Sequence, residues 1–176
     1  MKTLQLCIST ALLLISFRIS AQQQNTPGVG IGINQLQKDF GIGLHLVSPY
    51  FANNRVAVRA GANLQWLQHM KGNETTWSPY GSFQLGIRGR QPVIEDKIYL
   101  YGEGGSILLL PNSTFSTEKA HWGGYGLFGF EFWATPKFGY YLELGGVGTG
   151  AKADKVSAAP IYANGFTGSV GCRLHF

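Results

Sequence analysis

Alternate residues along most of this chain differ in kind. From Ile161 to Phe176 the even positions hold Tyr162, Asn164, Phe166, Gly168, Val170, Cys172, Leu174 and Phe176, whereas the odd positions hold Ala163, Gly165, Thr167, Ser169, Gly171, Arg173 and His175. A period of two with one apolar parity marks β-strands that bury one face and solvate the other. The split recurs. Phe40, Ile42, Leu44 and Leu46 alternate with Gly41, Gly43 and His45, and Val56, Val58, Ala60, Ala62, Leu64 and Trp66 with Arg55, Arg59, Asn63 and Gln65. Phe83, Leu85 and Ile87 alternate with Ser82, Gln84 and Arg88; Phe128, Phe130 and Phe132 with Gly129 and Glu131; Phe138, Tyr140, Leu142 and Leu144 with Gly139, Tyr141 and Glu143. The pattern predicts eight strands, near 27–34, 38–48, 54–69, 77–90, 97–109, 121–134, 137–149 and 161–176.

The connectors alternate in character. Ser48 to Asn54, Gln91 to Asp96 and Thr135-Pro136 carry proline or asparagine turn chemistry. Lys71 to Thr76, Pro111 to Ala120 and Ala151 to Pro160 are more polar and mostly longer. Short turns at one end and longer loops at the other predict an all-β, eight-stranded antiparallel up-and-down barrel of the transmembrane kind. No segment after the first 21 residues approaches the ~18 apolar residues of a membrane helix. A closed barrel is the other structure that satisfies every backbone group in hydrocarbon.

Composition decides which face the apolar parity occupies. Glycine supplies 25 of 176 residues, aromatics 13% and charged residues only 13%, against roughly 7% glycine and 25% charge in soluble domains. Lys38, Lys71, Lys97, Lys119, Lys137, Lys152 and Lys155 all fall in connectors or at strand ends, and none in mid-strand. A water-soluble, lipocalin-like secreted barrel is the alternative, but it turns its apolar parity inward and covers its outside with charge. The polar parity here suits a crowded interior instead, and Trp66, Trp77, Trp122, Phe132, Phe138 and Tyr140 near strand ends suit interfacial girdles.

Lys2, the apolar run Ala11 to Phe17 and Ile19-Ser20-Ala21 before Gln22 read as a cleavable secretory signal over 1–21, leaving 22–176 as the barrel domain. Loss of Lys2 and Arg18 lowers the formal net charge from +5 to +3. With no basic cluster, no nucleic-acid partner is expected. Cys172 is the single cysteine of 22–176, so no internal disulfide can form.

The leader, the eight alternating stretches and a last strand carrying Tyr162, Phe166, Val170 and Leu174 on one parity before the terminal Phe176 resemble the small outer-membrane β-barrel family, the OmpX-like and OmpA-transmembrane-like proteins. The resemblance spans roughly residues 27–176. It implies residence in the bacterial outer membrane among its lipid, and recognition of those five residues by the barrel-assembly machinery.

Six charged residues occupy the inward parity: Arg59, Arg88 and Arg173, with Glu103, Glu131 and Glu143. Paired carboxylates can perform acid–base catalysis, but opposite charges at one depth are also what a filled lumen requires, since isolated buried charges cost several kcal/mol. The expectation is a structural plug in an eight-stranded barrel, whose interior is just wide enough for side chains. His45, His69, His121 and His175 lack metal-site spacing, and the glycines match no phosphate loop, so neither metal nor cofactor is expected. Ser113, Ser116, Glu118 and His121 near an outer rim keep a lipid-modifying hydrolase open as an alternative, and a narrow channel is another. The reading that unites these residues is a structural or surface-interaction protein, with 70–77, 110–120 and 151–160 as contact loops for an extracellular partner.

Overall fold

The computed structural model describes residues 26–71, 74–95, 97–157 and 159–176. The signal expected over 1–21 lies outside them. The strands are β1 (Gly28–Leu36), β2 (Asp39–Val47), β3 (Val56–Lys71), β4 (Glu74–Ile94), β5 (Ile98–Leu110), β6 (His121–Thr135), β7 (Phe138–Gly148) and β8 (Gly165–His175). Each pairs with the next, and β1 pairs antiparallel with β8, so the sheet closes into a barrel in sequence order. Closure leaves no strand edge unpaired around the wall. No helix among the described residues is long and apolar enough to cross a membrane.

The alternation sorts cleanly between the two faces. Arg59, Arg88, Glu131 and Arg173 are buried inside, while Leu85, Leu142 and Val170 on the apolar parity stand 60%, 45% and 54% exposed outside. The ends of the described chain, Thr26 and Phe176, with 48–55, 95, 97 and 136–137 gather at one end of the barrel; 37–38, 111–120, 149–157 and 159–164 gather at the other, the outer end that carries the longer loops. β4 extends to Ile94, beyond the strand end expected at 90, and a register shift between Pro92 and Ile94 accommodates a proline that cannot donate to the ladder.

Two expectations need correction. The last strand starts at Gly165, not at 161, because Ala163 (φ 48°) and Gly165 (φ 116°) are left-handed and turn the chain. Asn164 holds that turn: its side-chain oxygen accepts from the backbone N–H groups of Thr149 (3.0 Å) and Gly150 (3.1 Å). Tyr162 therefore leaves the parity of Phe166, Val170, Leu174 and Phe176 and is buried inside the outer mouth. The second correction concerns the interior, which is not polar throughout. At the outer end Leu36, Leu67, Ile107 and Leu109 point inward and join Phe115 and Tyr162 in an apolar cluster.

Candidate functional site

The charged residues meet at mid-barrel. Arg88 and Glu103 are direct cross-strand partners on β4 and β5, and Arg88 Nε donates to Glu103 Oε2 at 2.8 Å. Arg59 reaches both Glu103 and Glu143 at 3.2 Å, across the lumen from β3. Arg88 also meets Glu143 at 3.1 Å. Toward the chain termini Arg173 pairs with Glu131, and its second amino group lies 3.9 Å from Glu143. Three guanidinium groups thus face three carboxylates in one connected, charge-balanced cluster. Balance matters here, because a lone ion in this interior would cost several kcal/mol.

Side chains that the charge pattern did not single out complete the cluster. The hydroxyls of Tyr101 and Ser169 donate to Glu143 at 2.7 Å, and that of Tyr125 donates to Glu103 at 2.7 Å. Arg173 donates to His45 Nε2 at 3.0 Å. A guanidinium only donates, so this nitrogen carries a lone pair and the imidazole is neutral. The Arg88 guanidinium lies 3.9 Å from the centre of the Tyr101 ring. A signal for the tyrosines was present in the glycines. A Cβ at Gly32 would strike the Tyr141 hydroxyl, and one at Gly86 the Tyr125 hydroxyl. Inward glycines make the space into which these rings extend.

Both ends of the lumen are blocked by side chains. Toward the chain termini, Arg90 stacks on Tyr50 at 3.3 Å and donates to the carbonyl of Asn54 at 3.0 Å. At the outer mouth Phe115 and Tyr162, their rings 5.2 Å apart, both pack on Tyr80. The loops 111–120 and 149–164 that carry them are tied together: Asp154 accepts from the Thr117 N–H at 2.8 Å and from its hydroxyl, and Lys155 donates to the Ser113 carbonyl at 2.8 Å. The Thr117 donors hold the Asp154 carboxyl below the usual carboxylate range. Beside the ion cluster a polar cavity of about 40 Å³ remains, lined in part by Asn34, Asn63 and Gln84. That is far below the roughly 300–1,000 Å³ of ordinary ligand pockets.

The outer-rim residues with hydrolase chemistry do not assemble as a nucleophile and its base. His121 Nδ1 lies 2.7 Å from Glu118, and Nε2 lies 2.8 Å from the carbonyl of Thr149. The buried Ser116 hydroxyl donates to the Lys152 carbonyl at 3.4 Å instead. Among the described residues, no group of three or more His, Cys, Asp or Glu side chains is placed to hold a metal ion.

No protein-family model matches this sequence, and no curated protein matches it either. Solved structures do resemble it. The N-terminal β-barrel domain of OprF from Pseudomonas aeruginosa aligns with a TM-score of 0.63 at 11% identity, covering 88% of this chain and 100% of that one. The outer membrane protein OprG from Pseudomonas aeruginosa aligns with a TM-score of 0.57 at 11% identity, covering 90% and 99%. At such identities the likeness is one of fold: this chain shares the closed eight-stranded barrel of those two proteins.

Proposed function

We propose that this protein is an integral barrel of the bacterial outer membrane with a structural and surface-contact role, its lumen plugged by its own side chains. The observation that carries the reading is the inversion of faces. Charge is buried inside, while Ile33, Leu44, Leu85 and Ile87 stand 63%, 57%, 60% and 64% exposed around the outside. An apolar surface this continuous exceeds what water-soluble monomers present, and hydrocarbon is its natural solvent. Aromatic groups bracket the belt. Phe40 stacks on Trp66 and meets Trp77 edge-on at the outer end, and Phe138 meets Tyr140 edge-on at the other, where interfacial girdles belong.

Surface contact is supported by the β3–β4 hairpin. β2 follows β3 only to the Phe40–Trp66 pair, and β5 joins β4 only from the Leu110–Gly81 pair. Beyond those pairs the hairpin rises as a two-stranded ribbon with Gln68, Met70, Thr75 and Trp77 exposed. The outward Phe166, Val170, Leu174 and Phe176 suit recognition by an assembly machinery; Tyr162, which points inward, does not.

Cell fractionation with gel migration of unheated and heated samples tests the reading. The chain is expected in the outer-membrane fraction, migrating faster when unheated, and deletion of Phe176 should lower the amount assembled. Recovery of intact, folded protein from the soluble periplasm would refute it.

A further inference from the structure

The outer wall carries a trough that folding does not account for. Val56, Gly89, Gly102 and Phe128 are successive register partners on β3, β4, β5 and β6, so they form one row across the sheet. Two bare backbone positions are thus flanked by two apolar side chains. With Leu100 they bound a groove of about 490 Å³. Strands lie ~4.8 Å apart, so the row spans about 14 Å. Barrel strands tilt by roughly 35–45°, which inclines the row relative to the membrane plane.

Neither glycine is required by its surroundings. A Cβ at Gly89 or Gly102 would meet nothing within 4 Å. Their backbones are also outside the left-handed region, which among the described glycines holds only Gly150 and Gly165. Most inward glycines differ: a Cβ at Gly28 or Gly30 would strike a histidine ring, and one at Gly41 the Leu64 carbonyl. What the two outward glycines provide is open space facing hydrocarbon. At the chain-terminal end of the groove lies Arg55, exposed and without a side-chain ion pair among the described residues, its carbonyl accepting from Arg90 N–H at 2.8 Å. No acidic residue lines the groove. A planar, always-charged guanidinium suits a phosphate.

We infer that this groove holds a glycerophospholipid of the periplasmic leaflet, with an acyl chain over Gly89 and Gly102 and the phosphate on Arg55. The inference rests on the outer-membrane placement proposed above. Arg55 sits at the end of β3 nearest the chain termini, the periplasmic end in that placement, which selects phospholipid over the lipopolysaccharide of the opposite leaflet. Gln91, at the same end, offers the headgroup an amide.

The test reconstitutes the full-length barrel in phosphatidylglycerol vesicles, extracts it into mild detergent and counts retained lipid by native mass spectrometry. Unheated gel migration reports insertion separately. The wild-type barrel is expected to retain one phospholipid. Gly102→Leu, which fills the trough, and Arg55→Ala, which removes the charge, should each lower retention about tenfold, as expected for loss of one charge-assisted contact or its equivalent. Gly148→Leu, at another open position outside the groove, should retain lipid as the wild type does. An inserted wild-type barrel that retains no lipid, or variants that retain it equally, would overturn the site and leave the membrane placement standing. Retention of lipopolysaccharide in place of phospholipid by the barrel purified from native membranes would also overturn it. A barrel that fails to insert would overturn the placement itself.

Discussion

Gly86 and Gly102 are both strand glycines, three residues from a register match on β4 and β5, yet only one is constrained. Added at Gly86, a Cβ would collide with the Tyr125 hydroxyl and crowd the Gly104 carbonyl; at Gly102 it would meet open space. Gly86→Ala should therefore destabilise the barrel by about 1–3 kcal/mol, the usual range for overpacking, while Gly102→Ala should leave its urea midpoint in lipid vesicles unchanged. Equal effects at the two positions would contradict the assigned faces. The charged residues support a sharper experiment. Glu131 and Arg173 are fully buried partners, so Glu131→Gln strands a guanidinium and should cost about 3–5 kcal/mol. Arg173→Gln should cost a similar amount. The double variant should cost clearly less than the two singles together, and strict additivity would mean the pair is not coupled. Period two alone places these six charges inside. Their pairing was not legible in the sequence, because it depends on register and on reach across the lumen: Arg88 meets Glu103 on the adjacent strand, whereas Arg59 meets Glu143 from the far wall.

At the scale of elements, alternation serves well within strands and fails where a turn reverses parity. β8 illustrates both. Phe166, Val170 and Leu174 face outward as a strict alternation requires, and Val170 lies between Ile33 of β1 and Leu142 of β7. Val170→Arg should thus place a charge in the lipid-facing belt and cost about 2–4 kcal/mol if it lies near mid-bilayer. Cysteine introduced at 170 should resist a water-soluble thiol reagent in the folded, inserted protein; ready labelling would show the face to be wrong. Continuing the same alternation back to 162 fails, since Asn164 captures two N–H groups of the 149–150 turn and Thr149 donates to the Ala163 carbonyl at 2.8 Å. Those bonds link residues 14 or 15 apart, and a window of alternating residues contains no trace of them. Phe115 was equally hidden. It is the one aromatic residue in a polar stretch, and it is buried because its loop folds back over the mouth.

At the scale of the whole molecule, the lumen has three barriers in series: the apolar cluster under the outer loops, the ion cluster at mid-barrel, and Arg90 stacked on Tyr50 at the opposite end. A permeating ion would have to cross a buried, mostly apolar layer of Leu36, Leu67, Phe115 and Tyr162, then displace guanidinium–carboxylate pairs that have almost no exposure. Any one of the three barriers should close the barrel. In planar bilayers the wild type should therefore show no stepwise conductance, and neither should Phe115→Ala combined with Tyr162→Ala, which opens the outer mouth but leaves the ions paired. The complementary variant, Arg59→Ser with Glu143→Ser, removes one carboxylate and one guanidinium together, so the cluster keeps its charge balance while the plug thins. It too should stay closed beneath the intact outer cluster. Combining all four changes should still leave the barrel closed at Arg90 on Tyr50, and adding Arg90→Ser should let it conduct, because only then does water reach from one end to the other. Steady conductance from the wild type would favour the narrow channel. Conductance from the Phe115 and Tyr162 double variant alone would mean that the ion cluster parts readily, and that the outer loops hold the only seal.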